Sequence, residues 1–507
     1  MTKATLIYNV QLLDESMDVA GAVLIVDKKI RSVFQGYFTK AETVTDFAKA
    51  ILGEDGYGQD YKLDLYDGRG MTLTPAFIDM HVHMRYPGQS AKEDLDSGLH
   101  AAAAGGYGTV VAMPNTNPVV SSYEMALQIE KEAAEIGLTN LFQTVSITKD
   151  FDGETLSHLN GIDRKYIPVI TEDGRDVLSS AVMLEGMSIA AEKGIIVSCH
   201  SEDPTLAVAA KPHRQEALKV MKAVGLSAWG TNSSDSDEME EIDENAINKI
   251  DLELTKANDI LALAEDTATI RNIMLAKEAG CHVHIAHCST ATSMNAVRMA
   301  KNELYDEALD YAADEADAAY QAFEDKTDFV PTRRHGNGFK VTCEVTPHHL
   351  ALCGTEEPFI RALVNPPLRS EDDRVALIEA LRDGTADVIS TDHAPHTLED
   401  KTSGSPGFTG LETAYGICNT VLVKDNQFSP RRLSQLMSGT PARLLGLKKG
   451  LLKTGYDADL TLVNSEEDWI VDSRMFCSKG KATPFEGMKL TGKVHALFID
   501  GRKVFDR

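Results

Sequence analysis

Basic residues are scarce in this chain. Its 507 residues include 50 Lys and Arg against 77 Asp and Glu, a net charge of −27. Such a balance disfavours nucleic acid or an anionic membrane as the main partner, because both are polyanions. Long apolar runs are also missing. No stretch approaches the ~18 residues of a membrane helix, and MTKATLIYNVQLLDES lacks the apolar centre of a signal peptide. The seven cysteines are odd in number and contain no C-x-x-C pair. Free thiols in a reducing compartment follow from that, not a disulfide framework. Together these absences predict a soluble cytoplasmic protein.

What is present is an ordinary globular mixture, 43% hydrophobic and 25% charged. The length suffices to bury a full core without staples. Both ends are rich in β-branched and aromatic residues, as in ATLIYNVQLL, AGAVLIVDKKIRSVFQG and GKVHALFIDGRKVF. The middle alternates short apolar strands with helical periodicity. Eight strands stand out, at 73–83, 109–116, 141–148, 166–174, 195–203, 282–290, 340–349 and 387–396. This order predicts an α/β fold, a (β/α)8 TIM barrel over 73–439. A small β-sandwich domain composed of both termini, 1–72 and 440–507, accompanies it. Two excursions interrupt the plan, at about 225–256, with the acidic SSDSDEMEEIDE, and about 303–338. They read as solvated surface decoration, with a lid or assembly surface as the alternative.

Polar residues collect where the apolar strands end, which in a barrel is where active sites are built. The ends carry His81, His83 and Arg85, then Asn115, Glu172 and Asp173, His200, His287 and Asp392. His81 and His83 are two apart, so strand periodicity puts both on one face. A lone H-x-H is weak evidence, but further His and Asp at other strand ends strengthen it. Imidazoles and carboxylates suit zinc or a similar divalent ion. Four His and two Asp exceed one tetrahedral ion and suit two, with a position left open for water. His282 and His284 precede His287 on the same strand and read as structural or exposed. His348 and His349 suit packing or support of the ligands. His393, beside Asp392, points to the opposite face. Cys199 and Cys288 read as small buried hydrophobes.

These motifs carry a resemblance. TPAFIDMHVHMRYPG followed by AMPNTNP resembles the barrel start of the dihydroorotase branch of the cyclic amidohydrolases. ITEDG, VSCHSED, HIAHCST, EVTPHHL, VNPPLR, STDHAPH and PGFTGLETA follow in that family's order. The resemblance covers about 75–445 and, more loosely, the flanking β segments. It implies that His81 and His83 bind a first ion, that Asp173 bridges, that His200 and His287 bind a second, and that Asp392 binds the first and moves protons. It implies one or two zinc ions, with Arg85, Asn115, Asn365 and His396 holding substrate and backbone around Pro406 and Gly407 touching the ring. The implied reaction is reversible hydrolysis of dihydroorotate to N-carbamoyl-aspartate by a hydroxide generated at the metal, the third step of pyrimidine (UMP) synthesis.

The pattern departs in places. An aspartate pair is usual before Gly174, whereas here Glu172 precedes Asp173, leaving Glu172 as an alternative bridge. The spacing of Asp173 from His200 agrees with the family. Related amidohydrolases bridge their ions with a carboxylated lysine, but Lys165 lies eight residues before Asp173, about 26 Å along a strand at ~3.3 Å per residue. That favours an aspartate bridge over the hydantoinase and allantoinase type, which remains the alternative enzyme. The non-enzyme alternative is a scaffold for aspartate carbamoyltransferase, a type that has lost metal ligands. The family also implies a homodimer, and association with aspartate carbamoyltransferase is the partner it suggests.

Overall fold

The computed structural model describes residues 2–54, 61–225, 243–304, 338–354 and 363–507. The N-terminal part forms β1 (Thr2–Leu13), β2 (Asp18–Val26), β3 (Lys29–Gln35), β4 (Tyr61–Asp67) and β5 (Thr72–Pro75). Alternation along β1 sorts its apolar residues to two faces. Leu6 and Tyr8 join one cluster, while Ile7, Val10 and Leu12 join another, with a register shift between Ile7 and Val10. A helix at Ala41–Glu54 lays Val44, Ala48 and Leu52 on the first face. Those residues lie four apart, a helical spacing, so the β-rich terminal domain expected over 1–72 also contains a helix.

The barrel strands are β6 (Phe77–Val82), β7 (Tyr107–Ala112), β8 (Asn140–Gln143) continued by β9 (Val145–Ser146), β10 (Val169–Thr171), β11 (Ile196–Cys199), β12 (His282–Ile285), β13 (Lys340–Val345) and β14 (Val388–Ile389). They pair in parallel in chain order. A parallel bridge between Val82 and His393 joins the last strand to the first. Ile78, Met80, Val111, Val169, Ile196 and Val388 come together as an inner core. Helices such as Ser180–Lys193 pack outside, with N-caps of the expected kind: Ser179 Oγ accepts from Val182 N.

The C-terminal β15 (Leu460–Ile470), β16 (Lys489–Ile499) and β17 (Arg502–Asp506) complete one eight-stranded sheet with β1–β5. β5 pairs with both β1 and β15, so the two chain ends meet through it. The run 73–83 is therefore two strands, parted at Ala76: one serves the terminal sheet and the other the barrel. At the far boundary, Ala442 and Leu445 pack into the inner barrel core, so residues just past 439 belong with the barrel. The first excursion is also revised. Residues 244–256 begin a 36-residue helix, Glu244–Ala279, that runs on into the barrel. Its acidic part before 243, and most of 303–338, lie outside the described residues. Among the described residues no helix is long and apolar enough to cross a membrane.

Candidate active site

On β6, strict alternation would put Ile78 and Met80 inward and His81 and His83 outward. A register shift between Asp79 and Val82 changes that. Such a bulge re-aims a strand, and both histidines follow Ile78 and Met80 to the inside. The buried Asp79 carboxylate holds the bulge, accepting from His81 N at 3.0 Å and from Thr391 N at 3.1 Å. Burial raises Asp79 to about 7, against the pull of those bonds.

The other expected metal ligands arrive from the ends of β10, β11, β12 and β14. Asp173, His200, His287 and Asp392 are all buried. His287 and Asp392 sit at positive φ, 33° and 48°, strained backbone of the kind that collects at functional sites. Two triples have ligand atoms within 4.8 Å of one another: His81, His83 and Asp173; and Asp173, His200 and His287. Asp173 belongs to both. Its Oδ1 lies 3.2 Å from His81 Nε2 and 3.5 Å from His200 Nδ1. Asp392 Oδ1 lies 3.0 Å from His83 Nε2 and 3.6 Å from His81 Nε2.

Hydrogen bonds at the back of each ring set which nitrogen carries the proton. His81 Nδ1 is 2.9 Å from Glu344 Oε1. A carboxylate accepts, so Nδ1 holds the hydrogen and the neutral ring keeps a lone pair on Nε2. That buried Nε2 has no hydrogen-bond partner. Asn115 Nδ2 donates to Asp173 Oδ2 at 2.8 Å, so Asn115 Oδ1 accepts from His83 Nδ1 at 2.9 Å. His83 Nε2 is then a bare lone pair facing Asp392. His200 Nδ1 and His287 Nε2 stand 2.9 Å apart. Donors on one tetrahedral zinc with ~2.0 Å bonds lie about 3.3 Å apart, so these clustered lone pairs fit a bound divalent ion.

Without an ion, protons take up the same field. Burial pulls His81 and His200 down, but Asp173 outweighs it, leaving His81 well above its ordinary value and His200 at about 9. Burial would raise Asp173, yet the facing imidazoles hold it well below the carboxylate range. Burial, then the charges of His200 and His81, push His287 to about 3 and keep it neutral.

The expected substrate residues line one cavity of about 220 Å³ with these ligands: Arg85, Asn115, Asn365, His396, Pro406 and Gly407. Arg85 is buried, with Nε 3.2 Å from Pro395 O and Nη2 3.2 Å from His396 Nε2. Burial first, then Arg85 and Lys92, push His396 to about 2, so it is neutral. Lys92 Nζ stands 3.4 Å from its other nitrogen. Arg85 gives this side of the cavity a cationic group inside a chain of net charge −27.

The remaining candidate residues have partners of their own. Asn115 lines the cavity, but both ends of its amide are engaged with His83 and Asp173, so it orients ligands. Gly407 N–H donates to Leu363 O at 3.0 Å and is not free for a ring. A Cβ at Gly407 would stand 2.8 Å from Ala394 Cβ and 3.3 Å from His396 Nε2, with φ at 115°, so close packing requires glycine there. Glu172 is turned away, accepting from Thr148 N at 2.9 Å and from its hydroxyl. Lys165 is exposed and donates to Tyr166 OH. His284 is buried and bonds Glu344 Oε2 and Thr342 Oγ1. His349 reaches Thr346 Oγ1 and the Pro366 carbonyl, and His393 Nδ1 accepts from Gly410 N.

Glu344 was not anticipated, although EVTPHH places it near the end of β13. It accepts from His81 Nδ1, His284 Nε2 and His287 N, and those histidines hold it well below its ordinary value against burial. Glu344→Gln offers one acceptor oxygen where two are used. Metal affinity is expected to fall about 10–100-fold, read by competition with a chelator. Lys401 was also missed. It is fully buried and donates to Leu363 O at 2.9 Å, Ser405 O at 2.9 Å and Gly407 O at 2.7 Å. Burial pushes its ammonium down to about 7. Lys401→Met leaves three carbonyls short of a donor and is expected to cost about 3 kcal/mol. A denaturation curve measures it, and an unchanged midpoint would contradict it.

Comparison with known proteins agrees with this geometry. The amidohydrolase family profile matches residues 72–504. The chain is 35% identical over 498 residues to a dihydroorotase of Clostridium botulinum (strain Eklund 17B / Type B), covering 98% of each chain. It is 33% identical to that of Bacillus subtilis (strain 168), covering 87% of this chain and 88% of the other. Among solved structures, L-hydantoinase from Arthrobacter aurescens superposes with a TM-score of 0.73 at 22% identity, covering 100% of this chain and 96% of that one. That likeness speaks for the shared barrel fold. With the profile spanning most of its length and dihydroorotases matched nearly end to end, this chain belongs to the amidohydrolase family, within its dihydroorotase branch.

Proposed function

We propose that the protein is a zinc-dependent dihydroorotase that opens (S)-dihydroorotate to N-carbamoyl-L-aspartate and closes it in reverse. The observation that carries this is one cavity joining two triples of potential metal ligands, which share Asp173, to the buried cation of Arg85. An ion in the cage would supply a water of lowered pKa and polarise the ring carbonyl. The protein's residues do the rest. Arg85 binds the substrate carboxylate with its guanidinium, and the neutral His396 adds a ring nitrogen. Water oxygen bonds to the ring carbonyl carbon and the carbon–nitrogen bond breaks. Asp392 takes the water's proton and passes it to the departing ring nitrogen. Ring closure runs the same transfers backwards.

The test is ring opening of dihydroorotate, followed by ultraviolet absorbance, before chelation, after it and after zinc return. Activity lost to the chelator and restored by zinc is the expected result. A metal-loaded protein inactive on dihydroorotate would overturn the substrate, and hydantoin would be tried next.

A further inference from the structure

Asn365 is the cavity residue whose chemistry is undecided by its type, because a side-chain amide offers a donor at one end and an acceptor at the other. The structure shows which end is already tied to the protein. Asn365 Nδ2 lies 2.5 Å from Glu202 Oε2. A carboxylate accepts and cannot donate, so the NH2 end must face Glu202. The Asn365 Oδ1 is buried and has no hydrogen-bond partner among the described residues. An unpaired buried carbonyl is costly unless a ligand completes it.

The surroundings prevent the amide from drifting. Arg214 Nη2 donates to Val364 O at 3.1 Å, and Lys401 Nζ and Gly407 N both donate to Leu363 O. The backbone beside Asn365 is thus pinned from the helix Pro204–Ala223 and from the loop at 401–407. Glu202 lies two residues after the candidate ligand His200, and its N–H donates to His200 O at 2.8 Å.

We infer that Glu202 is a positioning residue that fixes the Asn365 amide with its oxygen toward the cavity, selecting cyclic substrates that present a ring N–H there. This rests on the dihydroorotase reading and adds to it the reason that a ring N–H, and not a ring carbonyl or an ether oxygen, is wanted at that wall. Glu202 itself need not touch the substrate.

The experiment compares wild type, Glu202→Met, Glu202→Gln, Asn365→Asp and the double variant Glu202→Met with Asn365→Asp, all zinc-loaded. Glu202→Met removes the acceptor and frees the amide to turn. It is expected to lower kcat/KM for dihydroorotate at least tenfold, mostly through KM, with zinc content and thermal midpoint retained. Glu202→Gln keeps an acceptor oxygen and should stay within about threefold of wild type. An aspartate at 365 has two equivalent oxygens and needs no orienting, so Glu202→Met should cost nothing further in that background. The inference fails if Glu202→Met is as active as wild type, if Glu202→Gln is as poor as Glu202→Met, or if the cost persists beside Asp at 365. Those last two outcomes would assign Glu202 a charge or packing role instead. Should wild type be inactive on dihydroorotate, the substrate reading fails separately. The same five proteins are then compared by calorimetric binding of dihydroorotate and hydantoin, each of which carries a ring N–H, and the same ratios in Kd decide the point.

Discussion

Asp392→Asn is expected to lower kcat about 10³-fold while KM for dihydroorotate stays within a few-fold. The substitution keeps the shape of the side chain and removes its ability to take a proton. Asp392 lines the cavity and lies 3.0 Å from His83 Nε2. Burial would raise its pKa, but without an ion the facing imidazoles, His83 first and then His81, hold it below the ordinary carboxylate range. It is therefore a carboxylate at any working pH. Arg85, His396 and Asn365, the residues proposed to hold the substrate, are untouched by the change, so binding should survive. Steady-state kinetics with a zinc determination on the same sample separates the outcomes. A kcat within tenfold of wild type at full zinc loading would remove Asp392 from proton transfer.

Asp173→Ala should have the largest effect on metal. Asp173 is the residue common to both triples, and its two oxygens reach His81, His83 and His200 at 3.2, 3.6 and 3.5 Å. Removing it takes a negative charge from among four imidazoles and also orphans the Asn115 amide that orients His83. Zinc retained after dialysis is expected to fall below one per chain, and activity by about 10³-fold or more, since the metal-generated nucleophile is lost with the ion. Elemental analysis after reconstitution is the measurement. Full zinc occupancy in Asp173→Ala would show that the two triples bind independently of it.

Much of the site could be read from the chain itself. Zinc ligands are drawn from His, Cys and carboxylates, and a barrel displays its active groups at strand ends. So His81, His83, Asp173, His200, His287 and Asp392 could be picked out by residue type and position. Other features left weaker marks. Glu344 lies in an apolar strand, where a carboxylate looks like any polar interruption. Its function depends on His81 and His284, which are distant in sequence and adjacent only once β6, β12 and β13 share a barrel. Lys401 follows LED and resembles a solvated surface lysine. Its burial results from carbonyls at 363, 405 and 407 converging on it.

The amino-acid sequence by itself determined the alternation of strands and helices, the chemical types at the strand ends, the net negative charge and the lack of long apolar runs. These are local properties of spacing and composition. The tertiary structure decided which way each group faces. The bulge after Asp79 turned His81 and His83 inward against the simple alternation. The bonds of Glu344, Asn115 and Glu202 selected the tautomer of His81, the tautomer of His83 and the orientation of the Asn365 amide. β5 joined both ends of the chain in one sheet. All of these depend on partners far apart in sequence, and hydrogen-bond direction is set by the partner as much as by the residue.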